Sequence, residues 1–557
     1  MGLPSKELAA DVLRSVAQSD VPKPMSSITP TPNRWLGLLA LSLSVLSVVM
    51  TGTSVNLALP AISTSFGVSI SNLTWIIDAY TLTLGALTLP GGTLGDIFGR
   101  RRMYLIGLGV FSVGALFASL APNLGLLIIA RVLMAIGASL VLPGTLSLIS
   151  SMFEGRERAT AIGLWGGING IGLALGPVLG GALVEYVDWR AVFWTNIPLV
   201  ALVFFMVPRY VPAIPPRSGL HQLDVPGAVT VIGALTALIV ALIEGPTWGW
   251  SSPSTVGCLA LAVLLLAAFI AIESHVRYPM VPLHIFRSRT LNAACLSAAF
   301  LMISILSAFF FLSLFLQGVL GFSGIQTGLG YLPLALLIVG LSPLAGQIST
   351  RFGPRLPIVV GLLLAPVGLL WMSNIDAGSG YSSLVGGLLL VGAGMGLASP
   401  PISYAAVSSA PRDLAGVASG LNVMARQVGG SLGVALLTAI FAGRFRDHLS
   451  QVLRSSGIPA GEQHALLANA SNLATAGSRA VPHADPKLVA LLHSAFVLGM
   501  SDTLRVLSGV GILGVLAALM IRERDLAPGR PAPQQEAVLS TSPPAGASAA
   551  VTAGAAR

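Results

Sequence analysis

The chain has 557 residues, of which 54% are hydrophobic and only 9% are charged, and its formal net charge is +9. A soluble protein carries about 25% charged residues, so this composition excludes a water-soluble enzyme with a large core. The 2 cysteines exclude a disulfide framework, no Cys/His metal spacing occurs, and in so apolar a chain the positive charge indicates basic membrane loops rather than a nucleic-acid partner.

The chain starts with a polar, Pro-rich stretch, residues 1–35, which lacks the apolar core of a signal peptide and is predicted to be a cytoplasmic tail. Beyond it, apolar segments of about 20 residues recur, each long enough to cross a hydrocarbon layer of about 30 Å. The sequence therefore predicts an all-α integral membrane protein with fourteen transmembrane helices, at residues 36–58, 73–93, 103–121, 125–149, 159–183, 191–208, 226–245, 255–272, 292–316, 326–346, 356–373, 382–405, 416–441 and 497–521.

These segments divide into six, two and six. We expect an N-terminal six-helix bundle over 36–209, an inserted helix pair with its loops over 210–290, and a C-terminal six-helix bundle over 291–521. The last bundle includes a predicted outer loop, 442–496, and the Ala- and Pro-rich segment 522–557 is predicted to be a disordered cytoplasmic tail. An even number of spans puts both termini on one side, and the basic residues of the short loops place that side in the cytoplasm.

A short repeat supports the division into two halves. The stretch "GTLGDIFGRR" at 92–101 resembles "GQISTRFGPR" at 346–355, which lies 346 − 92 = 254 residues further on. Six spans with their loops need roughly 200 residues, and the inserted pair accounts for the surplus. Internal duplication is typical of secondary transporters.

Six motifs carry a resemblance to a known family. They are "TWIIDAY", "GGTLGDIFGRRRM", "ARVLMAIGAS", "GLALGPVLGG", "WRAVFWTNIP" and "AGVASGLNVMARQVGGSLGVA". With them the chain resembles the major facilitator superfamily, and within it the fourteen-span drug:proton antiporter family, over residues 36–521. The resemblance implies the major facilitator fold and the efflux of lipophilic drugs or other small molecules in exchange for protons, by alternating access.

The same resemblance implies the setting of the protein. We expect a multi-pass protein of the bacterial cytoplasmic membrane that contacts a small lipophilic substrate, protons and the lipid bilayer. It is expected to be a monomer, to bind no nucleic acid and no metal, and to need no cofactor besides the proton gradient. A dedicated exporter of one endogenous metabolite or lipid remains an alternative. The sequence has no nucleotide-binding loop, no convergent nucleophile and no attached signalling domain, which argues against an ATP-driven pump, a membrane enzyme and a sensor.

The loop between the second and third helices is the predicted conformational motif. It comprises Gly92, Asp96, Gly99, Arg100 and Arg101. The resemblance implies that Asp96 meets an arginine and a neighbouring helix end, where a negative charge is stabilised. Such a contact would hold one conformation and release another. The alternative is that the loop serves only as an orientation signal.

Ionisable and polar groups within spans are the candidates for proton coupling. Arg131 lies inside the fourth helix, where a charge costs at least about 2.5 kcal/mol, so it must face a partner, and Asp78 and Asn56 are the nearest candidates. A fixed structural ion pair and a water-exposed Asp78 are the alternatives. Thr51 stands where the family commonly has an acid, which makes neutral or anionic cargo more credible. Arg426 is a second coupling candidate, unless it lies at an outer helix end.

The fifth helix is the predicted hinge. Gly172, Gly176 and Gly180 recur every four residues and line one face, Pro177 can bend the helix, and Gly181 completes the motif. Generic close packing is the alternative reading of these residues.

A substrate cavity is predicted from Phe309, Phe310, Gln317 and Asn422, with lipid-facing aromatic side chains as the alternative for the two phenylalanines. Among the remaining ionisable groups, Glu244 is predicted to be a wet structural residue. Asp502 and Arg505 are predicted to pair at i, i+3 spacing. The histidines near the last outer loop, His448, His464, His483 and His493, are predicted to be solvated.

Overall fold

A computed structural model describes residues 33–68, 70–213, 224–276, 279–411, 414–455, 458–468 and 486–526. The predicted tails 1–35 and 522–557 lie almost wholly outside the described residues.

Within the described residues the chain is helical and contains no strand. We number the long helices in chain order: α1 Arg34–Phe66, α2 Ile70–Phe98, α3 Arg100–Ser119, α4 Leu124–Met152, α5 Gly155–Tyr186, α6 Asn196–Tyr210, α7 Val225–Trp248, α8 Pro253–His275, α9 Arg289–Leu314, α10 Leu332–Phe352, α11 Arg355–Met372, α12 Ser382–Ser408, α13 Ala415–Ser455 and α14 Pro486–Leu519. A helical turn, Ala191–Trp194, precedes α6, a π-helical turn, Phe315–Val319, follows α9, and a short helix, Gly324–Gly330, precedes α10. Each predicted span corresponds to one of these helices.

Thirteen spans within the described residues are long and apolar enough to cross a membrane. Helix α2 falls outside that set because Asp78, Asp96 and four glycines lower its mean hydropathy. With α2, the described part of the chain provides the fourteen helices of the predicted fold class.

Several helices begin where a short polar side chain caps them. Asn123 accepts a hydrogen bond from Leu126 N at 2.9 Å at the start of α4, and Ser288 accepts one from Leu291 N at 3.2 Å at the start of α9. Asp224 caps α7 through Gly227 N at 2.8 Å. Each cap satisfies a backbone N–H that the first helical turn leaves free.

The helices form two apolar cores. One is built from residues of α1 to α6, and the other mainly from residues of α9 to α14. The inserted helices α7 and α8 contribute Val231, Leu235 and Phe269 to the second core, and α7 also packs against α2 and α13. The inserted pair therefore lies beside the line where the two bundles meet.

The predicted outer loop, 442–496, contains helix over much of the part that the structure describes. Helix α13 continues to Ser455, a short helix spans Ala460–Ala468, and α14 already begins at Pro486. At 1.5 Å per residue, α13 is about 60 Å long, roughly twice the hydrocarbon thickness. Phe445, Leu449 and Phe496 are buried in the second core, so the two helices stay packed together along these added turns.

Candidate functional site

The two bundles meet along α5 and α10, where glycines bring the backbones together. A β-carbon on Gly163 would lie 2.8 Å from Ser342 O, and one on Gly167 would lie 3.3 Å from Val339 O. Near one end, a β-carbon on Gly346 of α10 would lie 2.6 Å from Ala159 O of α5. Small residues at such positions permit direct helix–helix contact inside a membrane. This glycine-lined contact is called the seam below.

The predicted hinge residues lie on two faces of α5. Gly172, Gly176 and Gly180 contact α1, and Ser54 Oγ of α1 donates a hydrogen bond to Gly176 O at 2.6 Å. A β-carbon on Gly181 would lie 3.3 Å from the Ile325 side chain, and Gly328 packs on Pro177. The five residues thus contact α1 on one side and the second bundle on the other. This close packing is compatible with a hinge and with generic helix packing, the two interpretations of the motif.

The conformational motif joins the two bundles at the end of the molecule away from Gly181 and Gly328. Asp96 Oδ1 accepts a hydrogen bond from Arg100 Nε at 2.8 Å, and both side chains are buried. The Asp96 carboxylate lies against Gly416, the second residue of α13, and Gly92 packs on Gly416 and Gly420. Asp96 therefore meets both an arginine and the N-terminus of a helix of the second bundle, as the sequence predicts.

Two further motif residues shape the same loop. Gly99 has φ 96°, a backbone conformation that side chains disfavour, and it allows the sharp turn between α2 and α3. Arg101 Nη1 donates to Val211 O at 3.0 Å and to Pro208 O at 3.3 Å. Arg101 thus satisfies carbonyls at the C-terminus of α6, a structural task within the first bundle.

Arg131 does not pair with Asp78, which corrects the sequence prediction. Its Nε donates to Ile76 O at 3.0 Å, and its guanidinium lies 4.0 Å from the centre of the Tyr80 ring. No carboxylate among the described residues lies within ion-pairing distance of Arg131. Helical geometry explains this, because residues 76 and 80 share a face of α2 whereas residue 78 points away from it. The side chain of Asn56 lies outside the described part of the chain.

Asp78 instead faces the inserted pair. Its half-buried carboxylate interacts electrostatically with Glu244 of α7. Two turns further along α2, Gly85 packs on Ile239 of the same helix. Glu244 is itself half-buried, so the sequence prediction of a merely wet structural residue misses this partner.

Arg426 lies deep within α13, not at its outer end. It is eleven residues beyond Ala415, about 16 Å along the helix and so near the membrane midplane. Its Nη2 donates to Ser399 Oγ of α12 at 3.0 Å. One turn away, the buried Asn422 accepts a hydrogen bond from Ser403 Oγ at 3.4 Å. A polar cluster of Ser399, Ser403, Asn422 and Arg426 thus joins α12 and α13.

This polar cluster lies beside the seam. Pro400, the residue after Ser399, packs on Gly166 of α5. Next to Gly166 are Trp165 and, one turn on, Asn169. Three atoms of this region are buried without a hydrogen-bond partner in the described structure: Trp165 Nε1, Asn169 Oδ1 and Asn422 Nδ2. Buried polar atoms are almost always paired, so these three atoms are candidates for the hydrogen bonds of a bound molecule.

The predicted substrate cavity is not brought together. Phe309 stacks on Tyr331 with ring centres 4.6 Å apart, Phe310 packs edge-on against Phe311, and Gln317 donates to Ser313 Oγ at 3.1 Å. Phe309, Phe310 and Gln317 lie about 30 Å or more from the first residue of α9, measured along the helix. Asn422 lies only about 10 Å from the first residue of α13, and both helices begin at the same end of the molecule. Of the four, only Asn422 belongs to the polar cluster.

Thr51 takes part in a neutral network inside the first bundle. Its Oγ1 donates to Asn196 Oδ1 at 2.7 Å, and Ser47 Oγ donates to the same oxygen at 2.5 Å. Asn196 Nδ2 in turn donates to Val192 O at 3.0 Å. The position that the family commonly gives to an acid is here buried and fully hydrogen-bonded without charge.

Other residues change role in the structure. Asp502 pairs with Arg505 at 3.3 Å as predicted, but His448 also joins this group, with Nε2 2.9 Å from Asp502 Oδ2. The prediction of a solvated His448 is therefore wrong.

Trp165, Asn169 and Ser399 belong to the site although none of the sequence motifs singles them out. The polar residues within "GLWGGING" at 163–170, amid apolar helix, were the available signal.

Two helical bundles that meet at glycines, with charged and amide side chains buried at their boundary, are the arrangement expected of a polytopic membrane transporter. Comparisons with known proteins agree. The model of the Major Facilitator Superfamily matches residues 41–434. The tetracenomycin C resistance and export protein of Streptomyces glaucescens is 34% identical over 519 residues, 92% of this chain and 95% of that protein. The multidrug resistance protein Stp of Mycobacterium tuberculosis H37Rv is 33% identical over 500 residues, 88% of this chain and 92% of that protein.

The chain belongs to the major facilitator superfamily, and its relatives place it with the drug:proton antiporter family. The fold agrees with a solved structure of the human organic anion transporter MFSD10, at a TM-score of 0.58 and 14% identity, covering 88% of this chain and 100% of that one. The protein is thus a transporter and not an enzyme.

Proposed function

We propose that the protein exports lipophilic small molecules across the bacterial cytoplasmic membrane in exchange for protons, with both termini in the cytoplasm. In this scheme the two bundles rock about the midplane and expose the seam to each side in turn. The proton gradient supplies the work, since one charge crossing 100 mV yields about 2.3 kcal/mol. The resistance and export functions named for the relatives support efflux.

The unpaired polar atoms beside the seam carry the proposal. Trp165 Nε1 and Asn422 Nδ2 are donors, Asn169 Oδ1 is an acceptor, and Arg426 adds a positive charge. Such a set suits an apolar molecule with carbonyl, hydroxyl or phenolate oxygens, because each oxygen would satisfy a donor that is otherwise buried unpaired. The positive charge of Arg426 and the neutral network at Thr51 favour neutral or anionic cargo.

Proton coupling is assigned to Asp78 and Glu244. The two carboxylates repel each other, and a proton bound to either removes that repulsion. Because α7 packs on both α2 and α13, a change at this pair would reach both bundles. Arg131 holds the other face of α2 through Ile76 and Tyr80, so it positions the helix instead of carrying the proton.

Drug accumulation in inverted vesicles tests the proposal. A proton gradient should drive uptake of neutral and anionic lipophilic drugs, and a protonophore should abolish it. Asn169→Ala and Asn422→Ala should raise KM for cargo several-fold, whereas Asn374→Ala, at an exposed turn, should change little. Uptake that persists after the gradient collapses would contradict antiport.

A dedicated exporter of one endogenous compound is the second candidate. The relative named for the export of tetracenomycin C supports it, and the relative named for multidrug resistance supports the broader function. A panel of structurally unrelated drugs in the same vesicles separates the two. Competition by a single chemical class favours the dedicated exporter.

A further inference from the structure

We propose that the second bundle holds an anionic phospholipid by its headgroup at the cytoplasmic membrane surface. The site is a cleft of about 470 Å³ lined by Arg289, Arg355, Leu519, Met520, Ile521, Arg522 and Glu523. It lies about 16 Å or more along the helices from Arg426 and takes no part in the proposed transport path.

The electrostatics of the cleft favour a phosphate. Three arginines line it against a single carboxylate, that of Glu523. None of the three forms an ion pair with a carboxylate of the described residues. Arg289 and Arg355 are also the first residues of α9 and α11, so two helix N-termini direct partial positive charge to the same place. Arginine donors fit phosphate oxygens in pairs.

The cleft is held open by a fixed backbone segment. Thr290 Oγ1 accepts a hydrogen bond from Arg522 N at 3.0 Å and donates one to Asp525 Oδ2 at 2.8 Å. These bonds tie the segment after α14 to the start of α9. Asp525 is held on Thr290 and is not among the residues that line the cleft, so Glu523 supplies the one carboxylate of the lining.

Apolar side chains continue from the cleft along the membrane surface of the protein. On α11, exposed side chains recur at helical spacing, at Leu356, Val360, Leu363 and Val367. On α14 the exposed side chains include Ile512, Leu516 and Leu519, and Met520 follows directly after the helix. Because α11 packs against α14, the two stripes provide an apolar wall that leads to the arginines. A positive cleft at the end of an apolar wall matches a phospholipid, whose charged headgroup joins two acyl chains.

The positive charge that orients the protein in the membrane does not by itself explain why three arginines line one cleft. The positive-inside tendency requires basic residues in a loop, but it does not require three of them to line one cleft between helix ends. The arrangement indicates binding.

Native mass spectrometry of the full-length protein tests the site. The protein is released from vesicles of phosphatidylglycerol and phosphatidylcholine, and retained lipids are counted. We expect the parent to retain one phosphatidylglycerol that the variant Arg355→Gln/Arg522→Gln binds about thirtyfold more weakly. The control Arg156→Gln/Arg209→Gln, which removes two exposed arginines of the first bundle, should bind like the parent.

A competition measurement and a substitute variant complete the test. Inorganic phosphate and glycerol 3-phosphate at millimolar concentration should not displace the bound lipid, and if they bind as tightly, the site serves a free phosphate and the proposal fails. If the double variant unfolds, Arg522→Lys replaces it, which keeps the charge but loses paired donors and should weaken retention partway. Equal retention by parent and variants, or equal retention of phosphatidylcholine, would overturn the proposal.

Discussion

At the scale of single residues, the buried charge of Arg131 is stabilised by a ring and a carbonyl instead of an acid. Tyr80 supplies the ring face, and its own hydroxyl is buried without a hydrogen-bond partner in the described structure. The aromatic face, not the hydroxyl, is therefore what Arg131 uses. A cation over a desolvated ring gains about 2 kcal/mol or more.

We accordingly predict different outcomes for two substitutions of Tyr80. Tyr80→Phe keeps the ring and should leave the melting temperature and drug resistance near those of the parent. Tyr80→Leu removes the ring and should destabilise the protein by about 2 kcal/mol or more, because the Arg131 charge loses its partner. Thermal unfolding in detergent measures this. Equal melting temperatures for the two variants would show that the ring contributes nothing.

The Asp78 and Glu244 pair gives a second prediction at this scale. Asp78→Asn and Glu244→Gln should each reduce proton-driven uptake at least about tenfold and flatten its dependence on pH, because the proton-binding pair is lost. Facilitated downhill flux of cargo should remain. Glu185→Gln, an exposed acid at the end of α5, is the control. Full coupling in both variants would refute their assignment.

At the scale of helices, the glycines of α5 allow the backbones of neighbouring helices to approach closely. Its glycines contact α1, α10, α12 and the short helix before α10, so one helix touches both bundles along its whole length. Any side chain on these faces would separate neighbouring backbones.

Gly176→Ala tests this tight contact. The new methyl group would overlap Thr53 and lie 3.0 Å from Met50 O, so we expect a loss of about 1–3 kcal/mol in stability. Gly109→Ala in α3, where nothing lies within 4 Å of the new methyl group, should be neutral or stabilising by up to about 1 kcal/mol. Thermal unfolding of the two variants in detergent compares them, and a similar loss in both would contradict close packing at α5.

At the scale of the whole molecule, the two ends of the interface are joined by different chemistry. One end is closed by apolar contacts of Gly181 and Gly328, and the other by the Asp96 carboxylate at the start of α13. The charged contact is the one that an isosteric substitution removes without altering shape.

We therefore predict that Asp96→Asn shifts the balance between conformations. Loss of the charge at the helix N-terminus should cost up to about 2 kcal/mol, or about thirtyfold in population, of the state closed at that end. Distances between spin labels on the two bundles measure the shift. Arg102→Gln, an exposed change in the same loop, is the control. Unchanged distances in Asp96→Asn would leave the loop with an orientation role alone.

Much of the architecture was predictable because membrane thickness limits each apolar segment. Fourteen helices and their division around an inserted pair follow from length and repeat, and the contact of Asp96 with an arginine and a helix end is implied by the family resemblance. The extent of α13 and α14 was not predictable, because their pairing depends on Phe445 packing on Gly499 from positions about fifty residues apart.

Composition and motifs are enough to identify this protein as a helical membrane transporter, since so few charges cannot cover a soluble fold and the motifs belong to one family. Which charges meet depends on how the helices pack in three dimensions. Arg131 and Asp78 are neighbours by depth, yet the rotation of α2 sends them to opposite sides, one to Tyr80 and the other to Glu244. Depth follows from counting residues, whereas the partner of a side chain depends on helix rotation and packing, which a single sequence does not encode in any local pattern.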